Sequence, residues 1–200
     1  GDAVDVEVIG DDPATDLALV RLSARDLPYS ELGDSESLQV GQLVIAVGNP
    51  FNERDSVTHG IISHTARHGD IEPGNIFLQT DAPINPGSSG GVLVNEQGLV
   101  MGVTSAIISP LGVSIGIGFA IPSVIVHKVV PALIKARTYK HPWLGISGMS
   151  LTSDLAGAMG LKPTQRGALV TDVIPGSPAA QAGMRGSDRD IRLEGEPVRL

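Results

Sequence analysis

Apolar and polar residues alternate in short runs along the first 122 positions. "VDVEVIG", "DLALVRL", "QLVIAVG", "SVTHGIISH", "IFLQTDA", "GGVLVN", "LVMGVTSAI" and "VSIGIGFAI" are rich in β-branched residues and bounded by Gly, Pro, Asn or Asp. That is the pattern of half-buried strands. "VLVNEQGLVMGV" predicts a hairpin that turns at Asn95–Gly98. Evenly spaced strands with no helical period between them predict a barrel or a sandwich.

At Pro122 the period changes. "PSVIVHKVVPALIKA" sets Ile125, Val129, Ala132 and Leu133 on one helical face behind a Pro122-Ser123 start signal. "RTYKHP", 137 to 142, is basic, ends in Pro and reads as a linker. Beyond it, "WLGISGM" predicts an extended segment, and "TSDLAGAMG" a short helix capped by Thr152 or Ser153 and stopped at Gly160. "GALVTDVI" predicts a strand. "GSPAAQAG" predicts a helix with Ser177 as cap, Pro178 in first place and Gly183 at its end.

Composition narrows the class. Apolar content of 42 % against 18 % charged suits a folded chain, and 25 Gly, 14 Pro and 3 % aromatics suit many turns and short strands. A net charge of −8 argues against a nucleic-acid partner, which wants a basic face. With no Cys there is no disulfide framework, thiol nucleophile or Cys-based zinc site, and no metal or organic cofactor is implied. Gly98 to Val126 carries no charge, yet "SPLG" breaks the run into two strands and a loop rather than a membrane span. The chain opens inside a strand without Met and stops inside another extended segment, so it reads as an internal piece of a longer protein.

The chemistry concentrates in "QTDAPINPGSSGGVLV", residues 79 to 94. A serine hydroxyl needs a base for its proton and dipoles for the oxyanion that forms when it attacks a carbonyl. Ser89 is the stronger candidate nucleophile, because Gly87 can offer an N–H beside that of Ser89 itself. Gly90 and Gly91 leave room for a substrate. A plain Gly/Ser turn between strands is the competing account. The G-x-S-x-G elbow of α/β-hydrolases is met literally, but it needs a helix after the serine, and "GGVLVNEQG" reads as a strand. A subtilisin-like order from Asp16, His64 or His68, and Ser89 needs alternating helices that the sequence does not offer.

A chymotrypsin-like plan remains. "DPATDLALVRL", "GQLVIAVGNPF", "SVTHGIIS", "FLQTDAPINPGSSGGVLVN" and "GIGFAIP" with the helix after it resemble, in order, the HtrA/Deg family of trypsin-fold serine endopeptidases. "HPWLGI" and "VIPGSPAAQAGMRGSDR" look like the start of the PDZ module that follows the protease in that family.

The resemblance implies a mostly β fold: the second barrel of a trypsin-like double β-barrel with a C-terminal helix over 1–137, then the front of a PDZ module over 138–200. It implies Ser89 as nucleophile and Asp16 as the buried carboxylate that orients the base. Gly87, Ser88 and Ser89 make the oxyanion-hole turn, with the N–H groups of Gly87 and Ser89 as donors. Ser88 stands where the family usually has Asn. Thr104, Ser105 and Ala106 pair with the substrate backbone. Pro83, Ile84 and residues 108 to 115 line or gate an apolar specificity pocket, and residues 67 to 76 form an activation loop.

The base, a histidine, is expected upstream of Gly1, so the five histidines present are assigned structural or solvent roles. Without that base these 200 residues are expected to be inactive alone. Leu144, Gly145 and Ile146 resemble the loop that cups a peptide's C-terminal carboxylate, and the tail from Gly183 resembles a variant with an inserted β-ribbon. The implied partners are unfolded or damaged proteins and peptide C-termini, in a trimer of the cell envelope, periplasmic or anchored outside the cytoplasm. The rival is a non-catalytic protease-fold scaffold that presents a peptide-binding module.

Overall fold

The computed structural model describes residues 4–52, 56–68, 75–107, 114–193 and 196–199. It divides into two compact units, Gly1–Tyr139 and Lys140–Leu200.

The first unit opens with an antiparallel hairpin of β1 (Val6–Asp12) and β2 (Leu17–Leu22). A closed six-stranded barrel follows, built from β3 (Leu43–Gly48), β4 (Ser56–His68), β5 (Ile76–Thr80), β6 (Val92–Val94), β7 (Val100–Ile107) and β8 (Gly118–Pro122). Around the barrel the order is β3-β4-β5-β8-β7-β6. Helix α1 (Ser123–Ala136) closes the unit.

The period of two along each strand sorts the side chains. Val44, Ala46, Ile62, Leu78, Leu93, Met101 and Ala120 point inward and pack with Leu38, Ala82 and Ile84 as the barrel core. Their neighbours Phe77, Phe119 and Ile121 point outward and meet Val126, Val129 and Leu133 of α1, with Leu17 of the hairpin. The Phe77 and Phe119 rings meet edge to face at 5.9 Å, an arrangement their quadrupoles favour. β8 is therefore buried along its whole length.

Several expectations shift in detail. The buried face of α1 runs through Ser123, Val126, Val129 and Leu133, with Ile125 only partly covered, because the hairpin and the barrel wall both press on it. The start signal works through space as well. Pro122 makes no side-chain cap; Ser35 Oγ accepts the Val124 N–H at 3.1 Å, and buried Ser123 Oγ donates to Gly33 O at 2.7 Å. The strand expected from "VSIGIGFAI" begins only at Gly118. Of the expected loop 67 to 76, Arg67 and His68 end β4 and Ile76 opens β5, while 69–74 lie outside the described residues. Tyr139, expected in the linker, packs on the α1 cluster.

The second unit pairs β9 (Ile146–Ser150) with β10 (Ala168–Val173). Helix α2 (Ser153–Ala158) is capped by Thr152, and α3 (Pro178–Gln181) by Ser177. β11 (Asp190–Leu193) and β12 (Glu196–Arg199) form a ribbon.

Candidate active site

Three segments of the first unit converge on the Ser89 hydroxyl. The first is the β1–β2 turn. Thr15 N–H donates to Asp12 O at 3.1 Å and its hydroxyl to the Asp12 carboxylate at 2.7 Å, so Asp12 braces the turn from within. The turn delivers Asp16 at φ 57°, a left-handed conformation that Asp visits more readily than most residues. Asp16 was expected to be buried. It is exposed, because it stands at the open end of a two-stranded hairpin and no described element covers it.

The second segment is Asn85–Gly91. Ser88 N–H donates to Asn85 O at 2.9 Å, and Phe51 N–H donates to Pro86 O at 2.9 Å. Gly87 sits at φ 96°, and a Cβ there would lie 2.7 Å from Asn49 O. So the loop after β3 backs the serine turn, and only glycine fits between them. Gly90 N–H donates to Thr104 O at 2.8 Å, and Gly91 N–H to Ser88 O at 2.9 Å. The missing side chain of Gly91 was expected to admit substrate; instead it admits the fold itself, since a Cβ there would lie 2.3 Å from Val47 O.

Two donors are left over. The N–H groups of Gly87 and Ser89 have no acceptor among the described residues, whereas that of Ser88 is committed to its turn. Ser88 therefore supplies the bend and no donor. Its side chain is buried, while that of Ser89 is exposed beside a cleft of about 380 Å³ lined by Val47–Asn49, Gly87 and Ser89–Gly91.

The third segment is a bulge in β7. Thr104 pairs with Ala120 and Ala106 with Phe119, so Ser105 is the extra residue between them. Bulges re-aim side chains next to active sites. Here Ser105 Oγ donates to Asp16 Oδ2 at 2.7 Å, and its carbonyl accepts the Ser89 hydroxyl at 2.6 Å. Ser89 and Asp16 thus meet on one residue.

Ser89 has no activating base among the described residues. Its proton goes to a carbonyl, which hydrogen-bonds but does not abstract. His59 and His127 are exposed, and His64 Nδ1 accepts the Ala66 N–H at 3.0 Å. His141 is in the second unit, and the His68 side chain lies outside the described residues.

A family model for the trypsin-like peptidase domain matches residues 1–103. The chain belongs to the trypsin-like peptidases, in their HtrA/DegP group. This HtrA-group chain is 43 % identical to the periplasmic serine endoprotease DegP of Salmonella typhimurium, over 99 % of its own length and 42 % of that protein. A probable DegP-like periplasmic serine endoprotease of Chlamydia pneumoniae is 44 % identical over 96 % of the chain and 39 % of the relative. The chain spans about two fifths of these curated relatives. Among solved structures, the HtrA-type protease AlgW with a tripeptide matches at TM-score 0.82 and 38 % identity, covering 96 % of this chain and 64 % of that one. The same protease with a decapeptide matches at 0.79 and 34 %, covering 98 % and 69 %.

Other expected contacts of this HtrA-group chain fall into place unevenly. Thr104, expected to meet substrate, is 1 % exposed, and both its backbone groups bond to Gly90 and Gly91. It braces the serine loop, and β6 flanks β7 only as far as Val103, so Ser105 and Ala106 continue β7 beyond β6. Ile84 fills the barrel core at 2 % exposure, against the bare backbone of Gly118. Pro83 is exposed, its carbonyl taking the Thr58 hydroxyl at 2.8 Å, and 108–113 lie outside the described residues.

In the second unit Gly145 sits at φ 77°, where a Cβ would lie 2.2 Å from that of Ser177. The carbonyls of Leu144 and Gly145 accept from Ala179 and Ile174, while their N–H groups have no acceptor among the described residues. Ile146 opens β9 opposite Val173.

Asn49, Phe51 and Ser35 were given no role from the sequence, and Asn75 fell inside the expected activation loop with no task of its own. A Pro-Phe pair after "AVGN" signals only a turn, and nothing local tells that the Asn49 carbonyl before it backs Gly87.

Proposed function

We propose that the full-length protein is a serine endopeptidase acting through Ser89. The Ser89 oxygen attacks the carbonyl carbon of a peptide bond, and a histidine from outside these 200 residues takes the hydroxyl proton between Asp16 and Ser89. The oxyanion is held by the N–H groups of Gly87 and Ser89, each such donor contributing about 2.7–4 kcal/mol. The same imidazole returns the proton to the leaving amine, and water then hydrolyses the acyl-enzyme.

The observation that carries this is the convergence of Ser89 and Asp16 on Ser105, beside two unused N–H donors. The names of the curated relatives support endopeptidase chemistry and a periplasmic location. Unfolded or damaged proteins are the proposed substrates, cut after small or medium aliphatic residues, in a trimeric assembly. The second unit is proposed as a PDZ module in which Leu144, Gly145 and Ile146 take a peptide's C-terminal carboxylate while the peptide adds a strand to β9.

A fluorophosphonate probe on the full-length protein tests the proposal. Labelling that is lost in Ser89→Ala and kept in Ser88→Ala supports it. No labelling of any activated form supports the non-catalytic scaffold.

A further inference from the structure

We infer that Asn75 is a positioning residue for Asp16, its side-chain amide strapping the β1–β2 turn to the root of β5. The Asn75 Nδ2 group donates to Ala14 O, two residues before Asp16 and 61 positions away in sequence.

The hairpin is held unevenly. Its body is fixed by burial: Leu17 and Leu19 enter the α1 cluster, and Gly10 passes so close to Arg137 that a Cβ would lie 2.4 Å from that carbonyl. At its tip only Asp12 and Thr15 are buried, bonded to each other within the turn. Pro13, Ala14 and Asp16 are exposed, and the bond that closes the last turn, Asp16 N–H to Pro13 O, is long at 3.4 Å. Packing holds Thr15 and Leu17 on either side of Asp16, but not the exposed Asp16 itself.

Among the described residues, side chains of Ser105 and Asn75 reach the tip from the barrel. Ser105 binds the carboxylate itself, which must also accept from the incoming base. Asn75 binds the backbone behind it, and a neutral amide-to-carbonyl bond persists while the carboxylate changes partners. Asn75 is well anchored for this task, since it directly precedes β5, whose Phe77 is buried in the α1 cluster. Freed from the strap, the turn relaxes and the carboxylate drifts from the base. A small misplacement of a reacting group is enough to slow chemistry by one to two orders of magnitude.

The test uses the full-length protein and rests on the protease function proposed above. The second-order rate of fluorophosphonate labelling is measured against pH for wild type, Asn75→Ala and Asn75→Asp, the last keeping the shape and removing the donor. Both variants are expected to label about tenfold more slowly. The acid limb of the profile should move to lower pH, because a more distant carboxylate favours the protonated base less. In an Asp16→Ala background, Asn75→Ala should cost nothing further. Equal labelling of wild type and both variants overturns the inference, as does an equal slowing in both backgrounds, which marks a merely structural role. Absence of labelling in wild type is a separate result and rejects the protease function together with the strap.

Discussion

The hydroxyl of Ser105 reaches the Asp16 carboxylate at 2.7 Å across 89 positions of sequence. The same residue offers its carbonyl to Ser89. One bulged position thereby sets the spacing between Asp16 and Ser89, and removing its side chain separates two contacts that share it. Ser105→Ala keeps the carbonyl and loses the donor. In the full-length protein kcat should fall about threefold to tenfold with little change in KM, the worth of one solvent-accessible hydrogen bond. Ser105→Thr should recover most of the loss. A fall in Ser105→Ala that appears wholly in KM would contradict this role.

The two glycines after the nucleophile differ in kind. Gly90 has open space and a positive φ of 82°, so Gly90→Ala costs only backbone strain, about 1–2 kcal/mol. Gly91 has no room, with Val47 O and Ser88 O in the way, and Gly91→Ala should cost about 3 kcal/mol by forcing the turn away from β3. Urea denaturation of the 200-residue chain ranks the two; equal midpoints would be the wrong outcome.

Ser123 joins α1 to the Ser35–Ser37 turn from inside the protein. Its fully buried oxygen donates to Gly33 O and accepts from Ser35 N–H at 3.0 Å. Ser123→Ala leaves both unpaired and should cost about 2 kcal/mol. Ser35→Ala removes a helix cap for about 1 kcal/mol. Because the residues share one network, a double-mutant cycle should give a coupling of about 1 kcal/mol. Strict additivity would mean that they act independently.

Gly145 tests the second unit. Gly145→Ala sets a Cβ onto Ser177 at a left-handed position, so the loop must move and its free N–H groups with it. Fluorescence anisotropy with a labelled peptide ending in a valine carboxylate should show at least about tenfold weaker binding, while the same peptide with an amidated end binds neither form well. Unchanged affinity in a folded variant would remove these residues from the peptide site.

Much of the molecule was legible beforehand because its causes are local. Period-two patterning located the strands, Gly98 and the Asn95 side chain closed the predicted hairpin, and Thr152 and Ser177 cap the helices that follow them. Ser89 stood out for a similar reason: glycines on both sides dictate a turn with inward N–H groups. The exposure of Asp16, the withdrawal of Thr104 and the double duty of Ser105 were not legible. Each depends on which residue is opposite in the barrel, and a one-residue slip between β7 and β8 changes that without any mark in the sequence.

The sequence by itself determined the alternation of strands, the all-β class of the first unit and the glycine-flanked turn that presents Ser89, since propensity, turn chemistry and side-chain period act over a few neighbouring residues. Only the tertiary structure decided which groups meet: Ser105 with Asp16, Asn75 with Ala14, Ser35 with Ser123. Those contacts are fixed by register and by packing across dozens of positions, and a hydrogen bond over that distance leaves no periodicity to read.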